Sequence, residues 1–157
     1  MKRLLWLLLL SSAPSYAALV LTLSPSTEVA AADSVVFRGS IANTGLADAF
    51  LNDIAIVLTP PAGTYLTVDP NFFFANVPGV LLSGETYTGP IFRLLIALNT
   101  PAGNYSGMAA ILGGSDEFAL DPSRSVSFTV ATPEPATIGL MLAALAGLAI
   151  ITRTTFR

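Results

Sequence analysis

Apolar and polar positions alternate through the middle of the chain, and a continuous apolar run lies near each end. In residues 34–42 the alternation places Val35, Phe37 and Ile41 on one side, and it stops at the turn signal Asn43-Thr44-Gly45. Successive side chains of a strand point to opposite faces, so the pattern predicts a strand with one buried face. The same reasoning predicts seven strands, over residues 19–23, 34–42, 50–58, 65–68, 87–98, 105–112 and 126–130.

Seven short strands separated by Gly, Pro, Asn, Asp and Ser are typical of an antiparallel β-sandwich. Residues 18–131 are long enough for one core, so we predict a single all-β domain. The stretches 82–86 and 100–107 resemble bacterial immunoglobulin-like surface domains, in which Gly-x-Tyr opens the penultimate strand. The resemblance implies an immunoglobulin-like sandwich in which Tyr105 is a tyrosine corner, with a plain core tyrosine as the alternative.

The apolar run at the amino terminus has the three-part layout of a secretory signal peptide. A basic start precedes the apolar residues 4–10, and small and polar residues follow up to position 17. Small side chains at Ser15 and Ala17 predict cleavage between Ala17 and Ala18, after recognition by the export translocon and signal peptidase. The alternative is an uncleaved anchor, but seven apolar residues span only about 10 Å as a helix.

The apolar run at the carboxyl terminus is long enough to form a transmembrane helix. Residues 136–152 contain no charged side chain, and as a helix these 17 residues measure about 26 Å. Their seven Leu and Ile residues favour insertion by roughly 3.5 kcal/mol in total. Arg153 and Arg157 follow in the basic tail, residues 153–157, as stop-transfer charges. Positive charge marks the cytoplasmic side, so the middle domain is predicted to lie outside.

A proline motif lies directly before this span, in residues 132–135. Pro133 and Pro135 flank Glu134, and each proline favours extended backbone at and before its own position. This motif, a span rich in Gly, Ala and Leu, and the terminal arginines resemble the PEP-CTERM sorting signal of Gram-negative bacteria over residues 132–157. The sequence departs from the family in its tail, where three residues separate two arginines that are normally clustered.

The resemblance implies that exosortase, a multispanning membrane enzyme, processes the carboxyl terminus. Pro133, Glu134 and Pro135 would be its recognition residues, and this protein would be the substrate. The implied product is first an inner-membrane precursor and then a protein of the cell envelope or extracellular matrix, associated with exopolysaccharide. The alternative is an ordinary single-pass surface protein, anchored after a proline-containing linker.

Composition removes most enzyme chemistry from consideration. The chain has no Cys and no His, which excludes disulfides, Cys/His zinc sites and imidazole catalysis. The net charge is −3, and residues 18–131 carry three arginines against nine acidic side chains, so we expect no nucleic-acid partner. We also expect no catalysis, no cofactor and no metal ion.

One cluster of acidic residues is a candidate metal-binding site. Asp116, Glu117 and Asp121 follow a glycine pair, and loop carboxylates are ligands that Ca²⁺ accepts. No EF-hand spacing is present, so a solvated acidic turn is the stronger interpretation. A polysaccharide-active enzyme would need two facing carboxylates, and nothing in the sequence selects a pair.

Three consecutive aromatic residues, Phe72, Phe73 and Phe74, lie in a predicted loop. In an extended segment at least one ring must point away from the core, because neighbours face opposite sides. An exposed ring can stack on sugars, which makes the segment the candidate site of a carbohydrate-binding module or adhesin. The stronger interpretation is a plug that closes the end of the sandwich. The sequence therefore predicts an exported, non-enzymatic envelope protein with a structural or interaction role.

Overall fold

The computed structural model describes residues 18–30 and 33–133, and most of these residues lie in β-strands. The strands are β1 (Leu19–Leu23), β2 (Thr27–Val29), β3 (Ser34–Asn43), β4 (Ala49–Leu58), β5 (Leu66–Val68), β6 (Val80–Leu81), β7 (Thr86–Ile96), β8 (Gly103–Gly114), β9 (Asp121–Pro122) and β10 (Val126–Thr132). Two one-turn helices, α1 (Ala62–Tyr65) and α2 (Phe72–Asn76), lie between β4 and β7 along the chain. The predicted all-β class is confirmed, and each of the seven predicted strands is present.

The strands form two curled sheets. The first has the order β1-β3-β7-β5, and the second has the order β2-β10-β8-β4-β6, with β9 paired to β8. Every pairing is antiparallel except that of β2 with β10, which is parallel. The register of β1 on β3 runs from Leu19 opposite Asn43 to Leu23 opposite Gly39, so the two strands pair along the whole of β1.

One apolar core lies between the two sheets. Phe37 of β3 and Phe92 of β7 stack at 4.8 Å, and Phe128 of β10 lies 4.9 and 5.2 Å from these two rings. None of the three rings is more than 1% exposed. Aromatic pairs of this kind add about 0.5–1.5 kcal/mol each beyond their burial, so the cluster joins the sheets at their centre. In β3, Val35 and Ile41 are buried on the same side as Phe37, as the alternation predicts.

A buried asparagine joins two segments of the backbone at one end of the molecule. Asn43 is 1% exposed, and its Nδ2 donates to the carbonyl oxygens of Ala47 at 2.8 Å, Leu81 at 3.1 Å and Leu82 at 3.2 Å. Its Oδ1 accepts from the backbone N–H of Gly45 at 3.0 Å. Because buried polar groups need partners, this side chain fixes the turn after β3 against the segment before β7.

Tyr105 stabilises the backbone at the opposite end of the molecule. Its ring is 6% exposed and packs edge-on against Tyr65 at 5.5 Å. Its hydroxyl donates to the carbonyl oxygen of Pro101 at 2.9 Å, and Thr132 Oγ1 donates to the same oxygen at 2.8 Å. The geometry predicted for a tyrosine corner is confirmed: the ring lies in the core, and the hydroxyl bonds to backbone four residues upstream.

Candidate functional site

The predicted processing residues are described only in part. Ala18 is exposed directly before β1, and Pro133 is exposed directly after β10. The predicted span, residues 136–152, lies outside the described residues. So do the other predicted processing residues, which are Ala17, Glu134, Pro135, Arg153 and Arg157. Their roles stay predictions. Within residues 18–30 and 33–133, no helix has the length and hydropathy needed to cross a bilayer.

The acidic turn between β8 and β9 is held by hydrogen bonds to its backbone. Asn52 Nδ2 donates to the carbonyl oxygens of Asp116 at 2.9 Å and Ala119 at 2.8 Å. The carboxylate of Asp116 accepts from the backbone N–H of Phe118 at 2.9 Å, and Glu117 is exposed. In the part of the chain that the structure describes, no three acidic side chains gather as metal ligands would, so the calcium interpretation gains no support.

The three phenylalanines lie in helix α2, so the prediction that they lie in a loop is wrong. The turn before α2 forms because the carboxylate of Asp69 accepts from the backbone N–H of Asn71 at 3.1 Å. In a helix, neighbouring side chains point about 100° apart, so the three rings face three directions. Phe73 is 2% exposed in the core, Phe72 is half-buried, and Phe74 is 60% exposed. One ring is therefore buried in the core, and another is the predicted exposed aromatic.

Arg93 of β7 holds α2 against the first sheet. Its guanidinium carbon lies 5.0 Å from the ring centre of Phe72, and its Nε donates to Asp69 Oδ2 at 2.9 Å. Hydrogen bonding to Arg93, and then to the backbone N–H of Asn71, holds the pKa of the Asp69 carboxyl below its usual range. Both carboxylate oxygens of Asp69 are thereby engaged within the domain.

Phe74 borders a groove of about 350 Å³ between β4 and the segment that joins β5 to α2. Isoleucine, valine and proline side chains make most of the wall, and two carboxylates complete it: Ile54, Ile56, Val68, Pro70, Asp53 and Asp69. The groove thus combines an exposed aromatic ring, an apolar surface and acidic groups. An apolar concavity with a few polar groups is the usual form of a small-molecule site.

The groove lies beside the part of β4 that β6 does not cover. β6 pairs only with Ala49 and Phe50, and among the described residues no other strand pairs with that edge of β4. The carboxylate of Asp53 accepts from the backbone N–H of Ile54 at 2.7 Å and so covers part of this edge. Among the described residues Asp53 forms no ion pair, whereas Asp69 is paired with Arg93.

Asp69 does not have the pKa shift expected of the proton donor in a glycoside hydrolase. Such enzymes need one carboxyl group that stays protonated, which requires a raised pKa. Asp69 has the opposite shift, because its interaction with Arg93 favours the charged form. Asp69 is therefore unsuited to act as the proton donor.

Comparison with solved structures gives distant similarities. No protein-family model and no curated protein matches the chain. The chain is 16% identical to the secreted serine protease VesC from Vibrio cholerae, with a TM-score of 0.41, and the match covers 81% of this chain and 26% of VesC. It is 15% identical to a chain of the CsuC–CsuE chaperone–tip adhesion subunit complex from the Csu pili of Acinetobacter baumannii, with a TM-score of 0.39, over 74% of this chain and 58% of that chain. Similarities this weak assign no activity to the chain.

Proposed function

We propose that this chain is an exported cell-envelope protein whose carboxyl-terminal signal is recognised and processed by exosortase. The observation that supports this most is where the sheets begin and end. β1 begins at Leu19, one residue after Ala18, and β10 ends at Thr132, directly before Pro133. The predicted signal-cleavage site and Pro133 of the motif therefore lie just outside the sheets, so cleavage between Ala17 and Ala18, or beyond Thr132, would remove no strand.

The exported domain is, in this proposal, an immunoglobulin-like β-sandwich. The orders β1-β3-β7-β5 and β10-β8-β4 correspond to strands A-B-E-D and G-F-C of the constant-type immunoglobulin fold. Tyr105 occupies the tyrosine-corner position near the start of the strand equivalent to F. β6 departs from the usual order, because it extends the second sheet beside β4 but follows β5 along the chain. A fold of this kind implies no activity by itself.

Alanine substitution of Pro133, Glu134 and Pro135 together tests the sorting proposal. Export depends on the amino-terminal signal, so the variant should still reach the membrane with its domain outside. Without the prolines the predicted helix can extend backward through the motif, and the carboxylate that an enzyme could recognise is gone. The variant should remain full-length, whereas wild type should lose about 2–3 kDa, the mass of a spanning helix and its flanks, in a host with exosortase.

The control is wild type in a host that lacks exosortase, which should keep its carboxyl terminus. Equal trimming of the variant and wild type in the exosortase host would show that exosortase does not recognise the motif. The carboxyl terminus would then be that of an ordinary single-pass surface protein, which is the alternative.

We propose a second function, in which Phe74 binds saccharide and the domain acts as a carbohydrate-binding module or adhesin. It is supported by one observation: Phe74 is 60% exposed beside a groove that is large enough for a sugar ring. Aromatic faces stack on the C–H surfaces of sugars, and binding surfaces are where large exposed rings are expected. Phe74→Ala should release the protein from an exopolysaccharide matrix, while Phe118→Ala, which removes an 82% exposed ring elsewhere, should not.

A further inference from the structure

We propose that the groove beside Phe74 prefers saccharides that bear a protonated amino group, such as glucosamine units, over N-acetylated or carboxylated ones. This inference rests on the proposed binding of saccharide at Phe74 and adds the charge class of the ligand. It follows from how the ring is held and from which charged groups face the groove.

The ring of Phe74 is a fixed surface. It packs edge-on against Phe73 at 5.5 Å with an interplanar angle of 84°, and Phe73 is itself 2% exposed in the core. The helix that bears both rings is fastened by Arg93, which contacts Phe72 and pairs with Asp69. A ring that is already ordered loses little conformational freedom when a sugar stacks on it, so the exposed face is suited to stacking.

The charged groups around the groove leave it negative. Asp53 and Asp69 both line it, and among the described residues Arg93 forms an ion pair with Asp69 but not with Asp53. The charge of Asp53 is therefore uncompensated among the described residues. Residues 18–131 add a field of the same sign, because they carry three arginines against nine acidic side chains. A uronic acid would be repelled, and an ammonium group would be attracted.

Asp53 has the capacity to accept from such a ligand. Its Oδ1 accepts from the backbone N–H of Ile54 at 2.7 Å, which orients the carboxylate on the edge of β4. An ionised carboxylate has about four acceptor sites, so this one bond leaves the second oxygen available. A hydrogen bond between an ammonium and a carboxylate is about twice as strong as a neutral one, which is the basis of the preference.

The test measures binding of three oligosaccharides of equal length, made of glucosamine, N-acetylglucosamine or galacturonic acid. The full chain is purified from a host without exosortase, in a non-ionic detergent that lacks a sugar headgroup, and titrated by calorimetry at low salt and mildly acidic pH. We expect the glucosamine oligomer to bind about 10-fold more tightly than the acetylated one. Added salt should reduce this difference, because exposed charges are screened.

Two variants separate the ring from the charge. Asp53→Asn keeps an oxygen for the N–H of Ile54 but loses the charge, so it should bind the amino and acetylated oligomers equally. Phe74→Ala should weaken both about 3- to 10-fold. The matched controls Glu117→Gln and Phe118→Ala change an exposed acid and an exposed ring in a different loop, and they should bind like wild type.

The outcomes distinguish this inference from the proposal on which it rests. If amino and acetylated oligomers bind equally and Phe74→Ala weakens both, the charge preference is wrong and saccharide binding stands. Tighter binding of the galacturonate oligomer would also overturn the preference. If no oligomer binds, both the preference and saccharide binding at Phe74 are wrong.

Discussion

Replacing Asn43 with alanine should cost the β domain a large part of its stability. The substitution removes several polar contacts at once: three backbone carbonyl oxygens share the two hydrogens of Nδ2, and Oδ1 accepts from the N–H of Gly45. These bonds join the turn after β3 to the residues around β6. Alanine offers neither donor nor acceptor, so the backbone groups lose their partners without gaining new ones.

The magnitude follows from how deeply each partner is buried. The bond to Leu81 is fully buried, so losing it costs about 1–3 kcal/mol. The other three bonds are only part-buried and are open to replacement by water, so each loss costs about 0.5–1 kcal/mol. The expected destabilisation is about 4 kcal/mol, a large fraction of the roughly 5–15 kcal/mol that stabilises a typical domain.

Urea unfolding followed by circular dichroism measures this loss in the segment of residues 18–133. Asn52→Ala is the matched control, because Asn52 also donates two side-chain hydrogen bonds to carbonyl oxygens, one exposed and one part-buried. Its cost should be about 1 kcal/mol. If Asn43→Ala destabilises by less than about 1 kcal/mol, or by no more than the control, the argument from burial is wrong.

Three further perturbations test other parts of the account. Asp69→Asn should be less stable than wild type at neutral pH, and the difference should vanish as pH falls through the lowered pKa of Asp69, below its usual value of 3.8. Gly39→Ala should unfold much of the pairing of β1 with β3, measured by hydrogen exchange, because its Cβ would lie 1.9 Å from the carbonyl oxygen of Thr22. Burial raises the pKa of Tyr87 above its usual 10.0, so ultraviolet titration should show one tyrosine ionising late, and stability should decrease as pH rises through that pKa.

Each of these perturbations has an outcome that would count against it. A stability difference for Asp69→Asn that persists unchanged into strong acid would mean that the carboxylate charge is not the cause. Gly103→Ala has open space around its Cβ, so it should leave exchange unchanged, and equal effects at both glycines would contradict the steric argument. Tyr87→Phe should remove the late titration step, and its persistence would assign that step to another tyrosine.

Sequence periodicity predicted the long strands because each of them buries one face. β3 and β8 have ten and twelve residues, enough for a two-residue period to be visible. β6 and β9 have two residues each, so no period could reveal them. Helix α2 is a single turn of five residues, set by local hydrogen bonds of Asp69 rather than by an apolar stripe. Because the segment is a helix and not a loop, its three rings face three directions, which the loop prediction did not include.

The candidate groove could not be predicted from the sequence, for a different reason. It brings Asp53 of β4 next to Phe74 of α2, and it exists because β6 covers only two residues of β4. Such proximity is a property of tertiary packing, and no local pattern encodes it. The sequence did single out Phe74 as part of an aromatic cluster, but the role of Asp53 becomes visible only in the folded domain.

The intact mass of the chain recovered from the envelope of a host with exosortase tests the central claim most directly. We predict a polypeptide that begins at Ala18 and has lost the residues beyond the Pro133-Glu134-Pro135 region, with every strand from β1 to β10 retained. Recovery of a chain that still contains both Met1 and Arg157 would contradict it.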